Sequence, residues 1–394
     1  MVATQVMMDA TILLKFLETD DKMKKQNKVF TISAIIITFI IVGLVISINI
    51  ISKVEATTYK IGVIAPLTGE AATYGLAAKA GLDFAVEELN IKGGVLGKKI
   101  ELVYEDSMLD NKRAVSIMNK FVSVDDFDVV IVADGSGPTL AVAPIAEANK
   151  VLMIGTLGST PELNEAGDYV FRTVPSDSAQ AKEMARIVAS LGLDNVALFY
   201  VNDAYGVGIK NKFEEDFSGR IVASESFEHE SADFRTQLIK IKDADPEVMI
   251  LVARKELPTI LKQMKELNIN LTIIGSETTK DADLIQKAGS AAEGMLSVYY
   301  AKAEDYVNYK DRFVQKTGKE VPVYSEYSYD GVMVLAKAIE KAGSFDVETI
   351  KSELYNIRYL GATGVVSFDE SGEVKDKPFS IFKVKNGNFV EIEI

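Results

Sequence analysis

From Thr58 onward the chain alternates short apolar runs with longer amphipathic stretches. The first run, residues 58–65, reads TYKIGVIA and is rich in β-branched residues, which is typical of a buried strand. Residues 77–89 follow, with apolar side chains at helical spacing. Because strands that alternate with helices usually build a parallel sheet covered on both faces, we predict an α/β fold.

The alternation runs through two successive series, which predicts two lobes. The first series has strands at 58–65, 99–106, 128–133 and 151–154 and helices at 77–89, 112–122 and 139–148. The second series has strands at 195–201, 221–227, 248–252 and 272–274 and helices at 179–191, 206–216, 234–242 and 257–267. Further helices are predicted at about 305–317 and 325–342, and short strands at 364–368, 379–385 and 389–392. The last two strands flank Asn386-Gly387, a strong hairpin signal.

An apolar segment without a charged residue, residues 29–51, precedes the first strand. About 20 apolar residues in a helix span the core of a bilayer, so we predict a transmembrane helix there. Four lysines precede the segment: Lys22, Lys24, Lys25 and Lys28. This cluster of positive charge on the N-terminal side of the segment predicts that residues 1–28 are cytoplasmic. The chain after residue 55 would then lie outside the membrane. Met23 is a second candidate for the translation start.

The fate of this segment stays open between an uncleaved signal anchor and a cleaved signal peptide. Its apolar length favours the anchor, because cleaved signals usually carry about 7–15 apolar residues. Cleavage is favoured by Val54-Glu55-Ala56, a small-x-small sequence at the expected position. We interpret the segment as an anchor.

Composition narrows the possible functions. The chain has 394 residues and a net charge of −14, and this acidity argues against binding nucleic acid, because phosphate recognition needs clustered Lys and Arg. It contains no Cys and a single His, His229, which argues against thiolate chemistry, a histidine metal site and a Ser-His-Asp triad. No P-loop, dinucleotide fingerprint or nucleophile elbow occurs. We therefore predict a protein that is not an enzyme and needs no cofactor or metal.

Polar loops follow the predicted strands, where open α/β sheets bind ligands. Residues 134–139 read DGSGPT and offer the Ser136 hydroxyl and free N–H groups at a helix start, which suits an anion. Residues 156–161 offer a second polar set, although Ser-Thr-Pro-Glu is also an ordinary helix start. In the second series Glu277 follows a strand, and it could meet a cation held by the first lobe. An exposed loop acid is the simpler interpretation of Glu277 alone.

The order of several segments resembles the leucine/isoleucine/valine-binding family of solute-binding proteins that serve ABC importers. The resemblance runs from about Tyr59 to Ile392 and includes IGVIAPLTGEAATYG, VLMIGTLGSTPEL, YVFRTVPSDS, NDAYGVG and GVVSFDESGEV. It implies a periplasmic binding protein type I fold, with two Rossmann-like lobes and a ligand between them. The implied lobes are 59–174 plus 302–361 and 176–298 plus 364–394, joined by crossovers near 173–177, 297–302 and 360–364.

The resemblance also implies an amino-acid site. Ser136 and Ser159 fall where hydroxyl and N–H groups bind the ligand α-carboxylate. Leu157 falls where a backbone carbonyl accepts from the ammonium, and Glu277 falls where a carboxylate pairs with it. The implied ligand-binding residues are Tyr74, Ser136, Leu157, Gly158, Ser159, Tyr205 and Glu277, and Arg254 joins this set on a separate hypothesis.

Arg254 departs from the family pattern. Where the family often places an aromatic pocket residue, this chain reads Ala253-Arg254-Lys255-Glu256. One hypothesis is that Arg254 reaches the ligand side chain and shifts preference toward polar or acidic ligands. The alternative is a surface or interlobe ion pair.

We expect a non-catalytic extracytoplasmic receptor that binds an amino acid and delivers it to the permease of an ABC importer, anchored in the cell membrane by its N-terminal helix. Amide, urea or aromatic-acid ligands are an alternative for the same fold. A permanently anchored sensor is a second alternative, but the short N-terminal segment leaves no room for an output domain.

Overall fold

The structure, a computed structural model, describes residues 58–394. The predicted cytoplasmic segment and membrane helix lie outside the described residues. None of the helices within residues 58–394 is both long and apolar enough to cross a bilayer.

The first sheet has five parallel strands in the order β2-β1-β3-β4-β5. These strands are β1 (Thr58–Ala65), β2 (Lys99–Asp106), β3 (Val129–Val132), β4 (Leu152–Gly155) and β5 (Val170–Arg172). Every residue of β3 and β4 is buried, as expected for central parallel strands with helices on both faces. The first three helices of this layer are α1 (Ala72–Ile91), α2 (Asn111–Ser123) and α3 (Ser136–Asn149).

The second sheet has seven strands in the order β7-β6-β8-β9-β10-β13-β14. These are β6 (Asn195–Val201), β7 (Arg220–Phe227), β8 (Val248–Val252), β9 (Thr272–Gly275), β10 (Leu296–Tyr300), β13 (Phe379–Lys385) and β14 (Asn388–Ile392). The last two pair antiparallel and extend an otherwise parallel sheet. Its helices are α4 (Asp177–Ser190), α5 (Ala204–Asp216), α6 (Arg235–Asp243), α7 (Leu257–Glu266) and α8 (Ala282–Ala288).

Three later helices return to the first sheet. They are α9 (Tyr306–Thr317), α10 (Ser325–Ala342) and α11 (Val347–Tyr355), and their buried faces share one core with β1, β3 and β4. The chain then forms an antiparallel pair, β11 (Tyr359–Gly361) and β12 (Gly364–Val366). The parallel two-sheet α/β fold predicted from the sequence is confirmed.

The chain passes between the sheets three times. The first passage lies between Arg172, at the end of β5, and Asp177, at the start of α4. The second passage comes after Tyr300, at the end of the expected range 297–302. Up to Tyr300 the chain still forms β10 of the second sheet. The third follows Val374 instead of lying at 360–364, because Val366, Phe368 and Val374 pack in the core of the first sheet.

Close helix packing in the first lobe depends on Gly81 in α1. A Cβ at this position would lie 2.0 Å from the Ser325 carbonyl oxygen at the start of α10. This backbone approach presses α10, and Tyr324 just before it, against α1.

We predict that Gly81→Ala destabilises the protein, although alanine normally favours a helix interior. The added methyl overlaps backbone that cannot rotate away, so the free energy of unfolding should fall by about 1–3 kcal/mol in a urea titration. Glu87→Ala on the exposed face of α1 removes only an exposed ion pair with Lys316 and should change stability by less than about 1 kcal/mol. Greater stability in Gly81→Ala would contradict the packing argument.

Candidate functional site

A cavity lies between the two sheets, at the carboxyl ends of their strands. It has an empty volume of about 580 Å³, part of it open to solvent. Residues from both lobes line it: Pro66, Ala71, Tyr74, Leu109, Gly135, Ser136, Leu157, Ser159 and Tyr324 from the first lobe, and Tyr205, Arg254, Glu277, Thr278 and Tyr300 from the second. Seven of the eight residues predicted from the sequence therefore meet at one cavity, and Gly158 is the exception.

The first-lobe wall begins at Ser136, the first residue of α3. The Thr139 hydroxyl donates to the carbonyl oxygens of Asp134 at 3.0 Å and Gly135 at 2.8 Å, which fixes the first turn of the helix. No side chain among the described residues caps this helix N-terminus. The wall thus offers the Ser136 hydroxyl together with uncapped N–H groups, a combination that suits a carboxylate.

The segment Leu157–Ser159 forms the adjoining part of this wall. A Cβ on Gly158 would lie 2.6 Å from the Thr139 hydroxyl, so Gly158 acts by letting the segment approach α3 and does not itself line the cavity. Arg172, buried behind the segment, donates to the carbonyl oxygens of Ser159 at 3.1 Å and Thr160 at 2.7 Å. These contacts hold Leu157 and Ser159 at the cavity surface.

The second-lobe wall carries the acid. Glu277 opens a short 3₁₀ turn after β9 and is only 4% exposed, so the exposed loop acid expected as the simpler interpretation is wrong. The Tyr205 hydroxyl donates to Glu277 Oε2 at 2.7 Å. Burial raises the pKa of Glu277, and the Tyr205 bond partly opposes that rise. The wall therefore presents a dehydrated carboxylate, which a cation would stabilise.

Arg254 both lines the cavity and forms an ion pair. Its Nη1 donates to Asp203 Oδ2 at 2.8 Å, and its guanidinium lies 4.6 Å from the centre of the Tyr205 ring. Burial works against both charges, but the hydrogen bond from His229 and the charge of Arg254 hold the pKa of Asp203 well below its usual range, and the charge of Asp203 raises the pKa of Arg254. The ion pair lies within the second lobe, and the arginine side chain is 17% exposed.

Charged residues surround the mouth of the cavity. His229 contacts Asp203 Oδ2 through Nε2 at 2.8 Å. Its Nδ1 lies 3.9 Å from Glu70, a first-lobe residue, and Lys255 of the second lobe pairs with the same glutamate. Glu70 therefore connects the two lobes at the mouth.

Sequence reasoning missed two tyrosines of the cavity. Tyr300 ends β10, and Tyr324 precedes α10 with a left-handed backbone, φ 67°. The centres of their rings are 6.2 Å apart, and Tyr74 is 6.0 Å from Tyr324. Only the paired tyrosines at 299–300, at the end of an apolar run, could have signalled this wall.

Two α/β lobes with a cavity between the carboxyl ends of their strands are the architecture of solute-binding proteins. The chain belongs to the periplasmic binding protein family, whose model matches residues 58–388. This confirms the family resemblance seen in the sequence.

The chain is similar to several proteins whose names describe amino-acid binding. A leucine-, isoleucine-, valine-, threonine- and alanine-binding protein of Pseudomonas aeruginosa is 30% identical over 340 residues, which cover 84% of this chain and 91% of that protein. The structure of the leucine-binding protein LivK of Thermotoga maritima has a TM-score of 0.78 and 28% identity, covering 85% of this chain and 98% of that one. LivJ of Streptococcus pneumoniae in complex with isoleucine has a TM-score of 0.76 and 27% identity, covering 85% and 100%.

We predict that Asp203→Asn makes stability less dependent on pH. The lowered pKa of Asp203 means that its charge stabilises the folded state above the ordinary aspartate pKa of about 4, and that this stabilisation is lost as the pH falls. The variant keeps an acceptor for the Gly206 N–H but loses the charged partner of Arg254. Its free energy of unfolding should be about 1–3 kcal/mol lower than that of the wild type at pH 7.

Urea titrations at pH 7 and pH 3 measure this difference, which should shrink at the lower pH. Asp216→Asn, at the exposed end of the same helix, serves as the control and should have no effect at either pH. A difference of equal size at both pH values would contradict the assignment of the ion pair.

Proposed function

We propose that this chain is the extracytoplasmic binding component of an ABC importer, and that its interlobe cavity takes up an amino acid for the permease. The observation that carries the proposal is the polarity of the cavity. Hydroxyl and N–H donors line one wall, and a dehydrated carboxylate lies on the other. Such a cavity fits a small solute that carries both an anionic and a cationic end.

The donor wall takes the α-carboxylate. Ser136 and Ser159 supply hydroxyls, and the uncapped start of α3 adds backbone N–H groups and the positive end of the helix dipole. Charge-assisted hydrogen bonds of this kind are worth about 1.5–3 kcal/mol each.

The acidic wall takes the ammonium. Glu277 lies where it loses hydration without gaining a basic partner of its own, because Arg254 is bound to Asp203. An ammonium beside it restores the charge balance, and the Leu157 carbonyl on the opposite wall adds an acceptor. An aromatic acid has no cation for this position, which makes the alternative of an aromatic-acid ligand a poorer fit.

The remaining wall determines which side chain fits. Tyr74, Leu109, Tyr300 and Tyr324 favour an apolar side chain, as do the names of the relatives that bind leucine, isoleucine and valine. The guanidinium of Arg254 also faces the cavity, which supports polar or acidic amino acids as a second candidate. Branched-chain amino acids remain the first candidate.

Attachment to the membrane is part of the proposal. Residues 29–51 supply an apolar run of bilayer length, preceded by Lys22, Lys24, Lys25 and Lys28 and followed by Lys53 and Glu55. An anchored receptor would keep both lobes close to the permease outside the membrane. An anchored sensor remains the alternative, and loss of amino-acid uptake on deletion of the gene would separate the two.

The first test is a thermal-shift panel of the twenty amino acids on residues 57–394. A ligand that binds only the folded state raises the melting temperature, by an amount that grows with concentration over its dissociation constant. We expect a shift with leucine, isoleucine or valine. Shifts with glutamine or glutamate alone would support the Arg254 hypothesis, and no shift with any amino acid would contradict the proposed function.

The second test is Glu277→Ala. Loss of the partner of the ammonium should weaken amino-acid binding by about 10-fold or more in calorimetry, because a single charge-assisted hydrogen bond accounts for that factor. Glu370→Ala, in an exposed turn of the same chain, is the matched control and should bind normally. Far-ultraviolet circular dichroism checks that both variants are folded, and an unchanged affinity in Glu277→Ala would show that the ammonium lies elsewhere.

A further inference from the structure

A second buried acid lies directly behind a residue of the cavity wall, Ser159. Asp177 is the first residue of α4, directly after the first passage between the lobes, and it is 0% exposed. Neither of its carboxylate oxygens has a hydrogen-bond partner among the described residues. One turn later Gln180, 1% exposed, likewise has an amide without a partner in the described part of the chain.

Asp177 lies next to residues that line the cavity. Its N–H donates to the carbonyl oxygen of Ser159 at 2.9 Å. Its negative charge contributes to the raised pKa values of Tyr205 and Tyr300, after burial and the charge of Glu277. Asp177 therefore acts electrostatically on the same wall that carries Glu277.

The cap of α4 does not use the carboxylate of Asp177. The cap of α4 is supplied by Ser176, whose hydroxyl accepts from the Ser178 N–H at 3.2 Å. Two arginines act on Asp177, but both are committed elsewhere. Arg172 bonds two backbone carbonyls and pairs with Glu373 at 2.9 Å, and Arg254 is bound to Asp203.

An uncompensated buried carboxylate destabilises a folded protein unless it binds a cation or holds a proton. Burial, and then the neighbouring charge of Glu277, raises the pKa of Asp177 well above its usual range. Two buried acids that interact in this way hold a proton between them when no cation is near. The charged and titratable groups that act on the pair are Arg172, Arg254, Tyr205 and Tyr300, and the Ser159 hydroxyl and the Gln180 amide also partly oppose the rise of the two pKa values.

We propose that Asp177 is a second carboxylate of the ligand site, and that Asp177 and Glu277 together hold the ammonium of the bound amino acid in exchange for a proton. The inference rests on the proposed function and deepens it. The incoming –NH₃⁺ keeps its three protons and donates to the two carboxylates, while the proton held by the acid pair leaves to solvent. Affinity for an amino acid therefore rises with pH across the range in which the empty pair is protonated.

The experiment compares each amino acid with an analogue that lacks only the amino group. The probe pairs are L-leucine with 4-methylpentanoate and L-glutamate with glutarate, measured by calorimetry on wild type and Asp177→Asn. The wild type should prefer the amino acid at least 10-fold. Asp177→Asn should lose at least 10-fold for the amino acid and nothing for the analogue. Asp128→Asn, an exposed acid before β3 in the first lobe, is the control of equal charge and should behave as wild type.

Two measurements separate a role in binding from a structural role. Removal of an uncompensated buried charge should leave the melting temperature of ligand-free Asp177→Asn unchanged or higher, whereas a structural carboxylate would lower it. The second measurement uses wild type alone: its binding enthalpy between pH 5 and pH 8 should vary with the ionisation enthalpy of the buffer, as proton release requires. This readout remains available if the variant does not fold.

The outcomes distinguish the inference from the proposed function. Wild-type affinity in Asp177→Asn, equal loss for amino acid and analogue, or binding without proton release would each overturn the inference and leave the receptor assignment intact. If the wild type binds none of the four probes, while the thermal panel shows no shift, the proposed function fails and the inference fails with it.

Discussion

The site depends on keeping a carboxylate out of water opposite a set of hydrogen-bond donors. A buried charge is tolerated only when polar partners surround it. The contacts near Glu277 supply such a partner or hold that partner in place. Tyr205 binds it directly, and Asp203 caps α5, the helix that carries Tyr205. The carboxyl ends of parallel strands lie at one edge of each sheet, and these edges of the two sheets face each other. Short loops after the strands are therefore enough to place Glu277 across from Ser136 and Ser159.

The local pattern of apolar and polar residues predicts much of the fold. Strands β1, β2, β6, β8 and β13 have the predicted bounds, because each is an apolar or alternating run bounded by turn residues. Strands β5 and β10 were missed for different physical reasons. Strand β5 has only three residues, too few to show a hydrophobic period. Strand β10 is followed directly by a passage of the chain between the lobes. The third passage was placed from the family resemblance and lies later in the chain, because Phe368 packs on Phe171 of the first lobe with ring centres 5.1 Å apart, a contact between distant segments.

The position of the candidate site could be predicted because polar loops follow the strands and because several segments resemble a known family. Ser136, Ser159, Tyr205 and Glu277, proposed on these grounds, all line the cavity. Gly158 was assigned to the ligand, whereas it packs closely against Thr139, because a sequence shows that a residue is small but not what it approaches. Tyr324, Asp177 and the connection of Glu70 with Lys255 could not be found, since their meaning depends on burial and on contacts between residues far apart in the chain.

The measurement that tests this account most directly is a crystal structure of residues 57–394 with the amino acid that the thermal panel selects. The account predicts the ligand between the lobes, with its α-carboxylate within about 3 Å of the Ser136 and Ser159 hydroxyls and its ammonium at the same distance from Glu277. A ligand bound outside the interlobe cavity, or bound there with its two charged ends reversed, would contradict it.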